Sequence, residues 1–438
     1  MATPLINASD SGEGIAIAVL FVGLVLLLAL RYLQRTRHGF TIGQALVVAF
    51  AVRMLAIVAV NATGIGTSLR GGDETTFLSY AQFLASQALG HADLPHGQYQ
   101  LQTIVFALQI KLGFMDVTAL RVTQVGIAML GTLFMVVAVY DLAGARAARF
   151  AAWVLAFEPA SMFFNSEIHK ESLMELGAGL VALGGVWFWK RLDVRGILIC
   201  GLGCLIAIET RSYAGWFLVC GAVLMILHAS LRGMRSSSRA LPFVYAIIVA
   251  AFIVGPAVFA ATGGKNLKTL QQSQAANATG SGEGGTGQSN GSNLALEQVD
   301  FSSRGAIITS LPTKIRDLIL EPYPWQLGDA SQMFGAIGTL FAYVILIALV
   351  RYAWLSRGNI FGRAGPLLYP LLFELIAYSL TVGNAGTGFR YRSHLVTLAI
   401  AALAALRQQV VEKRQITGAA ETLTTDEPAV AAMVVTAA

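Results

Sequence analysis

Three groups of polar residues stand out in a chain that is otherwise strongly apolar, and each carries side chains able to do acid–base or anion chemistry. The first is Arg70-Gly-Gly-Asp73-Glu74. Its paired glycines allow an unusual turn, and the adjacent Asp73 and Glu74 offer a general base or a cation ligand; the same residues also suit a helix N-cap with acids at the positive end of the dipole. The second is Asn165-Ser-Glu167-Ile-His169-Lys170-Glu171, four ionisable groups within five residues. It reads either as a solvated turn or as a site in which Lys170 meets a lipid phosphate. His169 has no spaced partner of the kind a zinc site needs. The third group is made of scattered cations: Arg211 in Glu209-Thr-Arg211-Ser-Tyr213, and Arg390 and Arg392 in GNAGTGFRYRSHL. Arginine forms bidentate bonds to phosphate, and snorkelling to lipid headgroups is the plainer alternative.

These residues must be positioned by membrane helices. The 438 residues are 55% hydrophobic and 12% charged, against about 25% charged in ordinary soluble domains. About 20 apolar residues cross the hydrocarbon as a helix. On that scale the chain is an all-α polytopic membrane protein of about eleven transmembrane helices, at 15–33, 42–62, 118–140, 148–165, 171–189, 195–209, 213–230, 240–261, 332–351, 366–382 and 392–407. Basic residues mark the cytoplasmic connections. Arg31, Arg35 and Arg37, then Arg146 and Arg149, Lys190 to Arg195, Arg232 to Arg239, Arg351 to Arg363, and Arg407 to Arg414 fall on one face when the N-terminus is outside. The organisation expected is an outer tail at 1–14, a membrane unit at 15–407 and a cytoplasmic tail at 408–438.

Two long loops then lie outside, 63–117 and 262–331. Within the first, ETTFLSYAQFLASQAL and YQLQTIVFALQIKLGF read as juxtamembrane helices at the interface. The second opens with a Gly, Ser and Asn-rich tract, 263–293, too poor in apolar residues to order itself. It closes on LPTKIRDLILEPYPWQLG, where the amphipathic rings of Tyr323 and Trp325 suit a membrane surface. Glu158 and Glu374 sit deeper, each either a buried structural group or part of a cavity wall. The net charge of +6 lies in short loops beside spans, so topology accounts for it and nucleic acid is not implied. Cys200, Cys204 and Cys220 lie in apolar segments without metal-site spacing.

The order of these motifs resembles the polyprenol-phosphate-dependent glycosyltransferases of the glycosyltransferase-C (GT-C) superfamily, which includes aminoarabinose and protein mannosyl transferases. The match rests on Gly72-Asp73-Glu74 with Tyr80, a juxtamembrane helix leading to Ala119-Leu120-Arg121, Pro159, the run Ser166 to Glu171, Thr210-Arg211 and Arg390 to Arg392, over about residues 42–407. The chain departs from the family in having a helix ahead of the acidic loop, Pro95-His96-Gly97 in place of a double proline, and no proline after Arg392.

The resemblance implies a multi-pass inner-membrane enzyme with its active site outside. It would move a sugar from a polyprenyl-phosphate donor to a lipid, glycan or protein acceptor, and inversion at the anomeric carbon is the simplest outcome. Asp73 would be the base with Glu74 assisting. Arg70, Tyr80, Glu167, His169, Lys170, Glu171, Arg211, Tyr213, Tyr323, Trp325, Arg390 and Arg392 would line the substrates. No cofactor is required, although a divalent cation bridging carboxylate and phosphate is compatible. Two alternatives remain open: a polysaccharide polymerase or ligase, which would lean on Arg and His in a late outer loop, and a lipid-linked glycan transporter or flippase, which would favour internal repeats and polar residues along the midplane.

Overall fold

Apolar runs of this length satisfy their backbone only as helices once water is excluded, and the computed structural model of the chain is built of helices throughout its described residues, which are 12–63, 73–87, 100–234, 271–272, 299, 304–326 and 330–436. In chain order they are α1 Gly12–Thr36, α2 Gly43–Thr63, α3 Asp73–Ser86, α4 Gln100–Lys111, α5 Val117–Ala143, α6 Ala145–Ala156, α7 Pro159–Phe164, α8 Glu171–Arg191, α9 Val194–Thr210, α10 Ser212–Met234, α11 Arg304–Leu320, α12 Ala330–Leu355, α13 Ile360–Thr381 and α14 Ala385–Thr436, with a 3₁₀ turn at Pro324–Gln326. Eight of them, α1, α2, α5, α8, α10, α12, α13 and α14, are long and apolar enough to cross a bilayer. The protein is a multi-pass membrane protein.

The eleven expected spans are recovered in part. The one at 148–165 is not a single helix. Pro159 lacks an N–H to continue the ladder, so α6 ends, Glu158 turns out of helical geometry, and its carboxylate accepts from the Ala160 and Ser161 amides to start α7. The one at 195–209 is α9, whose 17 residues span about 25 Å. The one at 240–261 lies outside the described residues, and so does the tract 263–293 apart from residues 271–272, which are helical and exposed. Both juxtamembrane stretches are helical, as α3 and α4, and pack through Phe77, Ala81 and Phe106 onto Leu120 and Ile168. The last helix runs far beyond 407, continuing to Thr436.

Helices α5, α8 and α9 are joined by glycine. In membranes small residues let backbones touch, and a Cβ built on Gly131 of α5 would stand 2.6 Å from the Glu175 carbonyl of α8. One built on Gly203 would stand 2.5 Å from the Gly177 oxygen, and one on Gly196, 2.6 Å from the Gly184 oxygen. The α8–α9 hairpin thus pairs Gly177 with Gly203 and Gly184 with Gly196 across an antiparallel contact. Its turn is only two residues long. Leu192 takes the left-handed conformation (φ 53°) and Asp193 caps α9 through the Arg195 amide at 2.9 Å.

The basic connections gather at one end of the bundle. There Arg37 makes a bidentate pair with Asp141 (3.0 and 2.9 Å), which also accepts from Trp187 at 2.9 Å, while Lys190 donates to the Asp141 carbonyl. The hydrogen bond and charge of Asp141 hold the Arg37 guanidinium above its ordinary range. Arg232 ties the Trp189 and Gly362 carbonyls of α8 and α13 at the same end.

Candidate functional site

At the opposite end, a carboxylate and two arginines from three separate segments converge. Glu171 begins α8, Arg211 stands between α9 and α10, and Arg390 lies in the first turns of α14. Arg211 donates to Glu171 Oε1, and Arg390 Nε lies 3.7 Å from that oxygen. Arg211 is buried, as is Glu171, so the pair is shielded from the water that weakens surface ion pairs. Aromatic rings complete the wall. The Arg211 guanidinium lies 4.5 Å from the Tyr391 ring centre and Arg390 5.7 Å from that of Phe164. Tyr213 donates to the Tyr391 hydroxyl at 2.6 Å, Tyr391 stacks on Tyr378, and the Tyr378 hydroxyl meets His394 Nδ1 at 2.9 Å. Burial works against charge on Arg211, but Glu171 and the surrounding tyrosines more than offset it, so its guanidinium stays a permanent cation. Such a cluster can hold an oxyanion by exchanging Glu171 for the ligand.

The rest of the run 165–171 folds inward, against the solvated-turn reading. Glu167 Oε2 lies 3.0 Å from His169 Nε2, both side chains are fully buried, and Gln124 donates to the His169 carbonyl. Lys170 is half-buried, with its ammonium 6.0 Å from the centre of the Phe77 ring of α3. Just behind, Asn165 donates to Glu175 Oε2 at 2.6 Å and to Ser161 at 2.8 Å, Thr132 donates to Glu175 Oε1 at 2.6 Å, and Arg53 of α2 reaches Ser161 at 3.0 Å.

Asp73 is the first residue of α3, and Glu74 follows it. Arg121 of α5 grips Glu74 Oε1 at 3.2 and 2.6 Å and also donates to Asn61 of α2, so Glu74 fastens α3 to the bundle. Tyr80, also on α3, is 40% exposed. Arg70 lies outside the described residues. Arg392 is only one residue from Tyr391 but faces elsewhere: it donates to the Leu318 carbonyl (3.0 and 2.8 Å), the Thr339 hydroxyl (2.6 Å) and the Glu321 carbonyl, closing the end of α11. Tyr323 and Trp325 stack 4.8 Å apart with Trp325 78% exposed. Of the residues singled out in the sequence, the structure therefore brings Glu171, Arg211, Tyr213 and Arg390 together.

Sequence reasoning assigned no role to Tyr378 or His394, used Tyr391 only as part of the run Arg390 to Arg392, and passed over Arg53 and Glu175. A signal existed for the last two, because a lone charge inside an apolar run such as VVAFAVRMLAIV is costly at membrane depth. No group of three or more His, Cys, Asp or Glu able to hold a metal occurs among the described residues. No family model matches the chain, and no match is found among curated proteins or solved structures.

Proposed function

We propose that the protein is a glycosyltransferase of the outer face of the inner membrane, moving a sugar from a polyprenyl-phosphate donor to a lipid, glycan or protein acceptor. The single observation that carries this reading is the convergence of Arg211 and Arg390 on one buried carboxylate, Glu171, at the end of the bundle opposite the basic connections. Positive-inside bias puts the basic end in the cytoplasm and this cluster outside, with eleven crossings when 148–165, 195–209 and 240–261 are counted. A lipid phosphate is already a good leaving group, so the chemistry needed is activation of an acceptor hydroxyl and neutralisation of charge on the departing oxygen. Asp73, opening α3 at that end, is the proposed base. Arg211 and Arg390 would take the growing phosphate charge in a partly dry, aromatic-walled site.

The test is transfer from a polyprenyl-phosphate sugar by purified protein in lipid vesicles. Asp73→Asn keeps the volume and the capping ability of the side chain, so loss of a base should lower turnover by about a hundredfold or more while the protein stays folded. Normal transfer by well-folded Asp73→Asn removes the base assignment. A second reading, a polymerase or ligase acting on polyprenyl-pyrophosphate-linked glycan, is favoured by one feature: the late residues Arg390, Tyr391 and His394 form much of the cluster wall. Activity that needs Arg390 and His394 but is indifferent to Asp73→Asn would select it.

A further inference from the structure

Glu374 sits inside α13, one turn before Tyr378, and is fully buried. Neither of its carboxyl oxygens has a hydrogen-bond partner. Across the described residues Arg211 is the cation that acts on it electrostatically, and Tyr378 and Cys204 also feel its charge. That arginine is committed elsewhere, its hydrogen bonds going to Glu171 and, at 3.4 Å, to Tyr213. Among the described residues, the elements around α13 supply no dedicated counter-ion: α9 brings Cys200 and Cys204, α10 brings Tyr213, Cys220 and His228, and α14 brings Tyr391 and His394 beside Arg390. α8 contributes Glu171, a like charge, while α11 carries buried Lys314 and Asp317. An isolated carboxylate in such surroundings is costly enough that the group takes up a proton instead, and ionisable residues at membrane depth are seldom structural filler.

We propose that Glu374 is a proton-binding site inside the membrane domain, occupied as the neutral acid, and that its proton decides how Arg211 is shared. With the proton in place, Arg211 belongs to Glu171. When the O–H bond breaks and the proton leaves to solvent, Glu374 becomes a second carboxylate competing for the same guanidinium, and Glu171 is left to Arg390. Protonation at Glu374 thereby sets the strength of the cluster wall facing any anionic ligand.

The site can be read without substrate, which keeps its test separate from that of glycosyl transfer. N,N′-dicyclohexylcarbodiimide adds to neutral carboxylic acids in apolar surroundings. An ordinary glutamate is protonated in only about one molecule in 500 at pH 7, so mass-spectrometric labelling of the wild-type protein in lipid nanodiscs should favour Glu374 over a free glutamate-containing peptide in the same reaction by about a hundredfold. The infrared difference between wild type and Glu374→Gln should show loss of a protonated-carboxyl C=O band. Loss of an ionised-carboxylate band, or an unlabelled Glu374, overturns the site. The sharing of Arg211 is read in Glu171→Gln: freeing the guanidinium should ionise Glu374 and reduce its labelling about tenfold, which corresponds to a proton affinity lowered to about one unit below the working pH. Unchanged labelling in folded Glu171→Gln overturns the coupling.

Discussion

Arg392→Met separates an arginine that holds the fold from those placed to meet a ligand. The last carbonyls of a helix have no partners within it, and Arg392 supplies them for α11 through Leu318, with Glu321 just beyond. Methionine matches much of the side-chain length but donates nothing, so the buried Leu318 carbonyl and the half-buried Glu321 carbonyl are orphaned at about 1–3 kcal/mol each. Thr339 is spared, since its hydroxyl keeps a bond to the Gly335 carbonyl at 3.2 Å. Relief from burying a guanidinium returns part of the loss, leaving a net destabilisation of about 3 kcal/mol. The chain contains its own reporter: Cys200 and Cys204 are buried while Cys220 is exposed. In a Cys220→Ala background, a thiol-reactive fluorophore reads unfolding directly, and the midpoint should fall by about 3 °C. Phosphate or lipid-phosphate affinity of the folded variant should stay within about twofold, a change of roughly 0.4 kcal/mol. An unchanged midpoint together with lost anion binding would refute the assignment and return Arg392 to a ligand site.

Arg211→Gln should destabilise the protein by about 3–5 kcal/mol because it leaves Glu171 buried and short of charge, and Glu171→Gln added to it should restore much of that loss in the same thiol assay, whereas additive losses would mean the pair is not coupled. Gly203→Ala drives a methyl against the Gly177 carbonyl and should cost about 1–3 kcal/mol, while Gly201→Ala, whose Cβ meets nothing within 4 Å, should be neutral or slightly stabilising; equal effects at the two positions would argue against the close helix contact. Glu321 lies between α11 and the 3₁₀ turn, and burial, with Asp317 nearby, raises its carboxyl above the ordinary 4.5. The folded state therefore binds the proton more tightly than the unfolded state, and stability should fall as pH rises from about 4.5 through the raised value. Glu321→Gln should flatten that slope in thermal midpoints measured across the acid range, and an unaltered slope would show that another group sets it.

The sequence was legible where one physical signal dominated. Long apolar runs identified α1, α2, α5, α8, α10, α12, α13 and the start of α14, and the one-sided placement of arginines foretold the end at which Arg37, Lys190 and Arg232 gather. Hydropathy could not resolve 148–165, because averaging over the run hides the local event at Glu158 and Pro159 that divides it. Nor could it mark the end of α14, which continues past 407 into sequence too polar to read as a span. For the site, residue type was informative but direction was not. Arg390 and Arg392 are two positions apart on a helix, about 200° around it, so one turns to Glu171 and the other to the Leu318 carbonyl. Glu74 likewise read as a partner in chemistry, because its arginine, Arg121, lies 47 positions away and nothing local announces the pair.

The paired glycines of α8 and α9 act as a reading frame as well as a close contact. Gly177 and Gly184 are seven apart, as are Gly196 and Gly203, and the two-residue turn between the helices leaves no slack to absorb an error. Inserting one residue between Gly177 and Gly184 would rotate everything on one side of it by about 100° and advance it by about 1.5 Å. Only one glycine pair could then stay seated. If the turn-side pair held, Glu171 would swing away from Arg211 even though neither residue had been altered. The outer cluster is thus set by helix length as much as by its own side chains, and single-residue insertions in this hairpin should be far less tolerable than substitutions on its lipid-facing side.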